Sequence, residues 1–131
     1  MKVLIIDDEE DTRRVAGMCL GMLGGLEVVE AASGSEGLRI AAEERPDVIL
    51  LDLLMPEMDG AETLVRLRKN PATLTIPVIF LTTKGMFPEF EELKELGALA
   101  VLPKPFDPTR LSSQIFEVLD SRNSNQSQKL G

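Results

Sequence analysis

Apolar positions along this chain follow two alternating rhythms. Short uninterrupted runs, Val3-Leu4-Ile5-Ile6, Val48-Ile49-Leu50-Leu51 and Pro77-Val78-Ile79-Phe80-Leu81, have the length and β-branched content of strands buried on both faces. Between them, apolar residues recur at three- and four-residue spacings, the period of amphipathic helices. Strands are predicted at 2–6, 26–30, 47–51, 77–81 and 98–102, and helices at 9–23, 34–45, 61–69, 88–96 and 108–120. In the first helix Val15, Cys19, Met22 and Leu23 share the inward face, and Gly24-Gly25 stops it. The Ser33-Gly34-Ser35-Glu36 turn has a serine positioned to cap the second helix, which carries Leu38, Ala41 and Ala42 inward. Leu64 and Leu67 are the core residues of the third; Phe90, Leu93 and Leu96 of the fourth; Leu111, Ile115, Val118 and Leu119 of the fifth, capped by Asp107. Strictly alternating strands and helices give a (βα)₅ chain, an α/β fold with a doubly wound parallel sheet. One domain is expected over 1–121, with an irregular tail at 122–131 where periodicity stops.

The strands end on unusual residues. The first runs into Asp7-Asp8, the third into Asp52, the fourth into Thr82 and the fifth into Lys104. In parallel α/β sheets, sites form at the carboxyl ends of the strands, so these side chains are expected at one edge. If the first and third strands are neighbours, three carboxylates converge there. Like charges so placed raise each other's pKa unless a cation neutralises them. A hard divalent ion with oxygen ligands, magnesium above all, suits that set.

Composition narrows the function. The net charge is −8, from 22 acidic and 14 basic residues, which argues against direct nucleic-acid binding. The single cysteine, Cys19, excludes an intramolecular disulfide and is expected as a buried structural thiol. No apolar run approaches the roughly 20 residues that span a bilayer, and no apolar leader precedes the first strand, so a soluble cytoplasmic protein without a membrane partner is expected. The acidic Asp7-Asp8-Glu9-Glu10 loop is unsuited to cradling a flavin phosphate, no GxxxxGK[ST] loop is present, and the Asp-x-Asp pair of aspartate-nucleophile phosphatases is replaced by Asp52-Leu53-Leu54.

The ordered set Ile6-Asp7-Asp8, Leu51-Asp52-Leu53-Leu54-Met55-Pro56, Asp59-Gly60, Leu81-Thr82-Thr83-Lys84, Gly97-Ala98 and Lys104-Pro105-Phe106 resembles the receiver domain of bacterial two-component response regulators, over residues 2 to 120. The resemblance implies a flavodoxin-like strand order, 2-1-3-4-5, which general rules for such sheets also give for the chemotaxis member of that family. It implies a phosphoacceptor, Asp52, loaded from a histidine kinase or histidine phosphotransfer protein. It implies Mg²⁺ held by Asp8, Asp52 and the backbone carbonyl of Leu54, with Asp7 acting through water. Lys104 and Thr82 would contact phosphoryl oxygens, and Lys104-Pro105 would be a cis peptide. The domain would be a signalling acceptor rather than an enzyme, read by a downstream effector or output domain.

One position departs from the resemblance. Val101 stands where strand 5 of such domains usually carries an aromatic switch residue, so Phe87, just past Thr82, is a candidate substitute. Phe116 lies about 100° from the inward face of the last helix and is a candidate anchor for a homodimer or partner. The alternative function is a receiver-like interaction module that works without phosphate.

Overall fold

The computed structural model describes residues 1–83 and 90–130, with side chains up to residue 122 apart from residue 90. Five strands and five helices alternate: β1 Lys2–Ile6, α1 Glu10–Met22, β2 Glu27–Ala31, α2 Gly34–Glu44, β3 Val48–Asp52, α3 Gly60–Lys69, β4 Val78–Thr83, α4 Phe90–Glu95, β5 Ala100–Lys104 and α5 Leu111–Leu130. The strands form one parallel sheet in the order β2-β1-β3-β4-β5, the flavodoxin-like order expected.

Side-chain alternation along the central strands builds two core layers. Leu4, Ile6, Ile49, Leu51, Val78 and Phe80 point to one face and meet Ala41 of α2, Leu64 and Leu67 of α3 and Leu93 of α4. Val3, Ile5, Val48, Leu50, Ile79 and Leu81 point to the other, against Ala16 and Leu20 of α1 and Leu111 and Ile115 of α5. A strand covered on both faces has no polar positions to spare, which is why β1, β3 and β4 read as continuous apolar runs. β3 is buried at all five positions, Asp52 included. Edge strands β2 and β5 are less buried; β2, β3 and β4 start one residue, and β5 two residues, later than predicted.

Local signals fix the helix ends. Ser33 Oγ accepts the Glu36 N–H and Asp59 Oδ1 accepts the Glu62 N–H, so each caps its helix as an oxygen acceptor for an otherwise unpaired amide. Asp107 Oδ1 accepts from the Thr109 amide and hydroxyl. These bonds hold its carboxyl below the usual range.

Three expectations are corrected. The inward face of α1 is Ala16 and Leu20; Val15, Met22 and Leu23 are exposed and Cys19 is half-buried. The bulky residues suggest the wrong face because α1 approaches the sheet on small residues: a Cβ on Gly17 would already touch Val28 and Glu30 of β2. Leu96, placed inward by sequence, is 38% exposed, because α4 ends at Glu95 and Gly97 turns the chain at φ +108°. The helix α5 continues to Leu130, through the segment expected to be irregular. No Pro or Gly interrupts 121–130, and the Ser, Asn and Gln there are only mildly unfavourable in a helix. The predicted helix positions 88 and 89, the inward side chain expected of Phe90 and the candidate Phe87 lie outside the described residues.

Candidate functional site

Strand register brings the chemistry together. Ile6 pairs with Leu51, so Asp7 and Asp52 emerge side by side from β1 and β3. Asp52 pairs with Leu81, which places Thr82 one residue further along β4, and Thr83 pairs with Lys104 on β5. The carboxylates of Asp7, Asp8 and Asp52 each offer an oxygen within 4.8 Å of the others. Asp7 and Asp52 are buried and Asp8 is exposed.

Among the described residues, Lys104 is the cation paired with the carboxylates of this edge. Its Nζ donates to Asp7 Oδ2 at 2.7 Å and lies 3.4 Å from Asp52 Oδ1 and 3.8 Å from Glu9 Oε1. The Lys104-Pro105 peptide is cis, as the resemblance implies. Burial pulls the lysine pKa down, but the hydrogen bond and charge of Asp7, with the charge of Asp52, outweigh it and the net shift is upward. Asp52 is pushed from 3.8 to about 6, first by burial and then by the Asp7 charge, with Lys104 opposing. Burial and the neighbouring Asp7 charge together outweigh the one ammonium beside Asp52.

Asp7 is fully engaged. Its Oδ1 accepts the Glu9 N–H at 2.9 Å and its Oδ2 takes Lys104. Asp8 has no such ties among the described residues and faces solvent. Thr82 Oγ1 is buried beside this edge and has no hydrogen-bond partner among the described residues. An orphaned buried hydroxyl carries a desolvation penalty of about 1–3 kcal/mol unless something else bonds it. Among the described residues, three carboxylates, an orphaned hydroxyl and a single shared ammonium therefore fit a hard cation together with an oxyanion that accepts hydrogen bonds.

The loop between β3 and α3 folds back on the strand that carries Asp52. Gly60 N–H donates to Leu53 O at 2.8 Å, and a Cβ at Gly60 would collide with the Asp52 carbonyl oxygen and Leu53 Cα. Asp59-Gly60 is thus both a helix cap and a close backbone approach.

The secondary candidates fall elsewhere. Val101 is half-buried against the α2/α3/α4 core layer. Phe116 is half-buried against the α1/α5 layer, at the rim of the core. Two contributors escape a reading of the sequence: Glu9, at the ammonium, and Arg13, whose Nη1 donates to the Asp7 carbonyl at 2.8 Å. The spacing of Arg13 from Asp7 along the first turns of α1 is the one signal that points to it. Among the described residues no helix is long and apolar enough to cross a membrane.

Comparison with known proteins bears on this arrangement. The response regulator receiver domain pattern matches residues 3–116. A probable transcriptional regulator, ycf27, of Guillardia theta is 38% identical over 122 residues, 93% of this chain and 46% of that protein. The phosphate regulon transcriptional regulatory protein PhoB of Pseudomonas aeruginosa is 35% identical over 117 residues, 89% of this chain and 51% of that protein. The chain thus spans about half the length of these two regulators. The Vibrio cholerae chemotaxis protein CheY4 superposes with a TM-score of 0.82 at 36% identity, covering 89% of this chain and 97% of that one. With the sheet order, the acidic edge and a match over nearly its whole length in agreement, the chain belongs to the response regulator receiver domain family of two-component signalling.

Proposed function

We propose that this protein is a phosphorylatable receiver in which Asp52 accepts a phosphoryl group from a phosphohistidine donor. The observation that carries the proposal is the Asp52 carboxylate, set at the sheet edge with Lys104 Nζ at 3.4 Å and the orphaned Thr82 hydroxyl nearby. The Asp52 oxygen attacks phosphorus and the donor imidazole leaves, so one P–N bond breaks as one P–O bond forms. Lys104 moves its charge from Asp7 and Asp52 to a phosphoryl oxygen, and Thr82 Oγ1 donates to another. Asp8, Asp52 and the Leu54 carbonyl would hold Mg²⁺, with Asp7 reaching it through water. When bound, that ion offsets the charge of an anionic phosphoryl group entering an acidic pocket. Its charge would also favour the ionised form of Asp52, against the burial and the Asp7 charge that raise its pKa.

The phosphoryl group adds about −1.5 to −2 charges. Thr82 drawn toward it would bias the surface of α4, β5 and α5, with Val101 in the place of the usual aromatic and Phe87 as the candidate moving group. A histidine kinase or phosphotransfer protein is the donor in this reading. An effector, an output domain or a second copy engaging near Phe116 is the reader. Cytoplasmic location follows from that role. The test is intact-protein mass after incubation with acetyl phosphate. A magnesium-dependent gain of one phosphoryl group is expected. No gain, with the protein folded and magnesium bound, favours the phosphate-independent interaction module.

A further inference from the structure

Asp7 is anchored through its backbone as well as its carboxylate, and both backbone anchors lead to β2. Its N–H donates to Ala31 O at 3.1 Å. Its carbonyl accepts Arg13 Nη1 at 2.8 Å, and Arg13 Nε donates to Glu30 Oε1 at 3.1 Å. Ala31 and Glu30 are the last two residues of β2. The Arg13 side chain is only 15% exposed, so its guanidinium lies between α1 and the strand edge rather than out in solvent. A planar guanidinium satisfies two acceptors at fixed angles, which a flexible ammonium does not. Gly17, one helical turn further along α1, lies beside Glu30: a Cβ there would be in ordinary contact with its carboxylate, at 3.5 Å.

We infer that Arg13, braced by Glu30, is a positioning residue that sets the Asp7-Asp8 turn for cation binding. This rests on the proposed magnesium role of those carboxylates. The inference has an unusual sign. Arg13 is a cation beside a cation site, so by charge alone its removal would tighten divalent binding. As a positioning residue its removal weakens binding, because Asp8 loses its fixed place relative to Asp52. Replacing residues that orient metal ligands typically costs about 10- to 100-fold in affinity.

The experiment measures Mg²⁺ and Mn²⁺ affinity by titration calorimetry for the unaltered protein, Arg13→Gln, Arg13→Lys and Glu30→Gln. Amide hydrogen exchange at Asp7 and Glu9 is followed in the metal-free samples, and far-ultraviolet circular dichroism checks the fold. Arg13→Gln should bind about 10-fold more weakly, with faster exchange at both amides. Glu30→Gln should weaken binding less, and Arg13→Lys should fall between Arg13→Gln and the unaltered protein. Unchanged or tighter binding in Arg13→Gln, with exchange unchanged, overturns the inference. Should Arg13→Gln fail to fold, Arg13→Lys decides: it keeps the charge, so weaker binding reports lost geometry and unchanged binding refutes it. If the unaltered protein binds no divalent ion, the magnesium reading fails by itself. Exchange at the two amides then still decides the brace, faster in Arg13→Gln if it exists and unchanged if it does not.

Discussion

Asp52 is where the residue-scale chemistry is most exposed to test. Its pKa is raised to about 6, so in the metal-free protein the folded state holds its proton more tightly than the unfolded chain, whose value is 3.8. Between those pH values the folded state binds more protons, and stability falls as pH rises through the window. Above it, the ionised carboxylate is a constant penalty on the fold. Asp52→Asn removes that penalty and should raise the melting temperature of metal-free protein by about 3–6 °C near neutral pH, with the gain vanishing toward pH 3.8. Paired thermal melts across pH would check both the sign and the window. Lys104→Met has the opposite sense. It leaves Asp7 and Asp52 facing each other without their shared ammonium, so metal-free stability should drop at neutral pH and recover on acidification. A melt that is flat with pH would count against this.

At the scale of elements, α1 offers a sharp contrast between what the sequence suggests and what packs. Leu20 is wholly buried and Met22 is 79% exposed. Leu20→Ala should cost about 2–5 kcal/mol in denaturant unfolding, whereas Met22→Ala should stay within about 0.5 kcal/mol. Equal costs would restore the face predicted from residue size. The central strands are legible because a strand buried on both faces leaves only apolar residues, and its first polar residue marks its end. That rule alone, applied to the chain, puts Asp7, Asp52 and Thr82 at the site. Lys104 comes with them, although β5 starts later than predicted and includes that lysine as its last residue. Arg13 is barely legible, because its partners are a backbone carbonyl and a glutamate on another strand. The six-residue spacing from Asp7 is local but carries no side-chain chemistry that would single it out. The continuation of α5 past residue 120 escapes for a different reason. The sequence from 121 to 130 has no apolar periodicity, and a helix without that pattern gives no signal in the sequence.

Across the whole molecule, the two core layers hold a sheet whose carboxyl edge carries, among the described residues, more negative than positive charge. Among the described residues only Lys104 balances Asp7 and Asp52, and this imbalance is what a bound cation would correct. Magnesium should therefore act as a stabilising ligand. At about ten times its Kd it should add roughly 1.4 kcal/mol to unfolding, and the gain should shrink in Asp8→Asn. Thermal melts with and without the ion, compared with calcium and potassium, separate specific binding from general screening. An equal effect of potassium at matched ionic strength would mean that no site is filled.

The central claim is that Asp52, and neither Asp7 nor Asp8, carries the phosphoryl group. The direct measurement is to treat the phosphorylated protein with borohydride, which reduces an acyl phosphate to the alcohol, and to map the modified residue by peptide mass. Conversion at position 52 to homoserine, dependent on magnesium during phosphorylation, is the expected result. Modification at position 7 or 8, or none in protein that has gained a phosphoryl mass, would contradict the account.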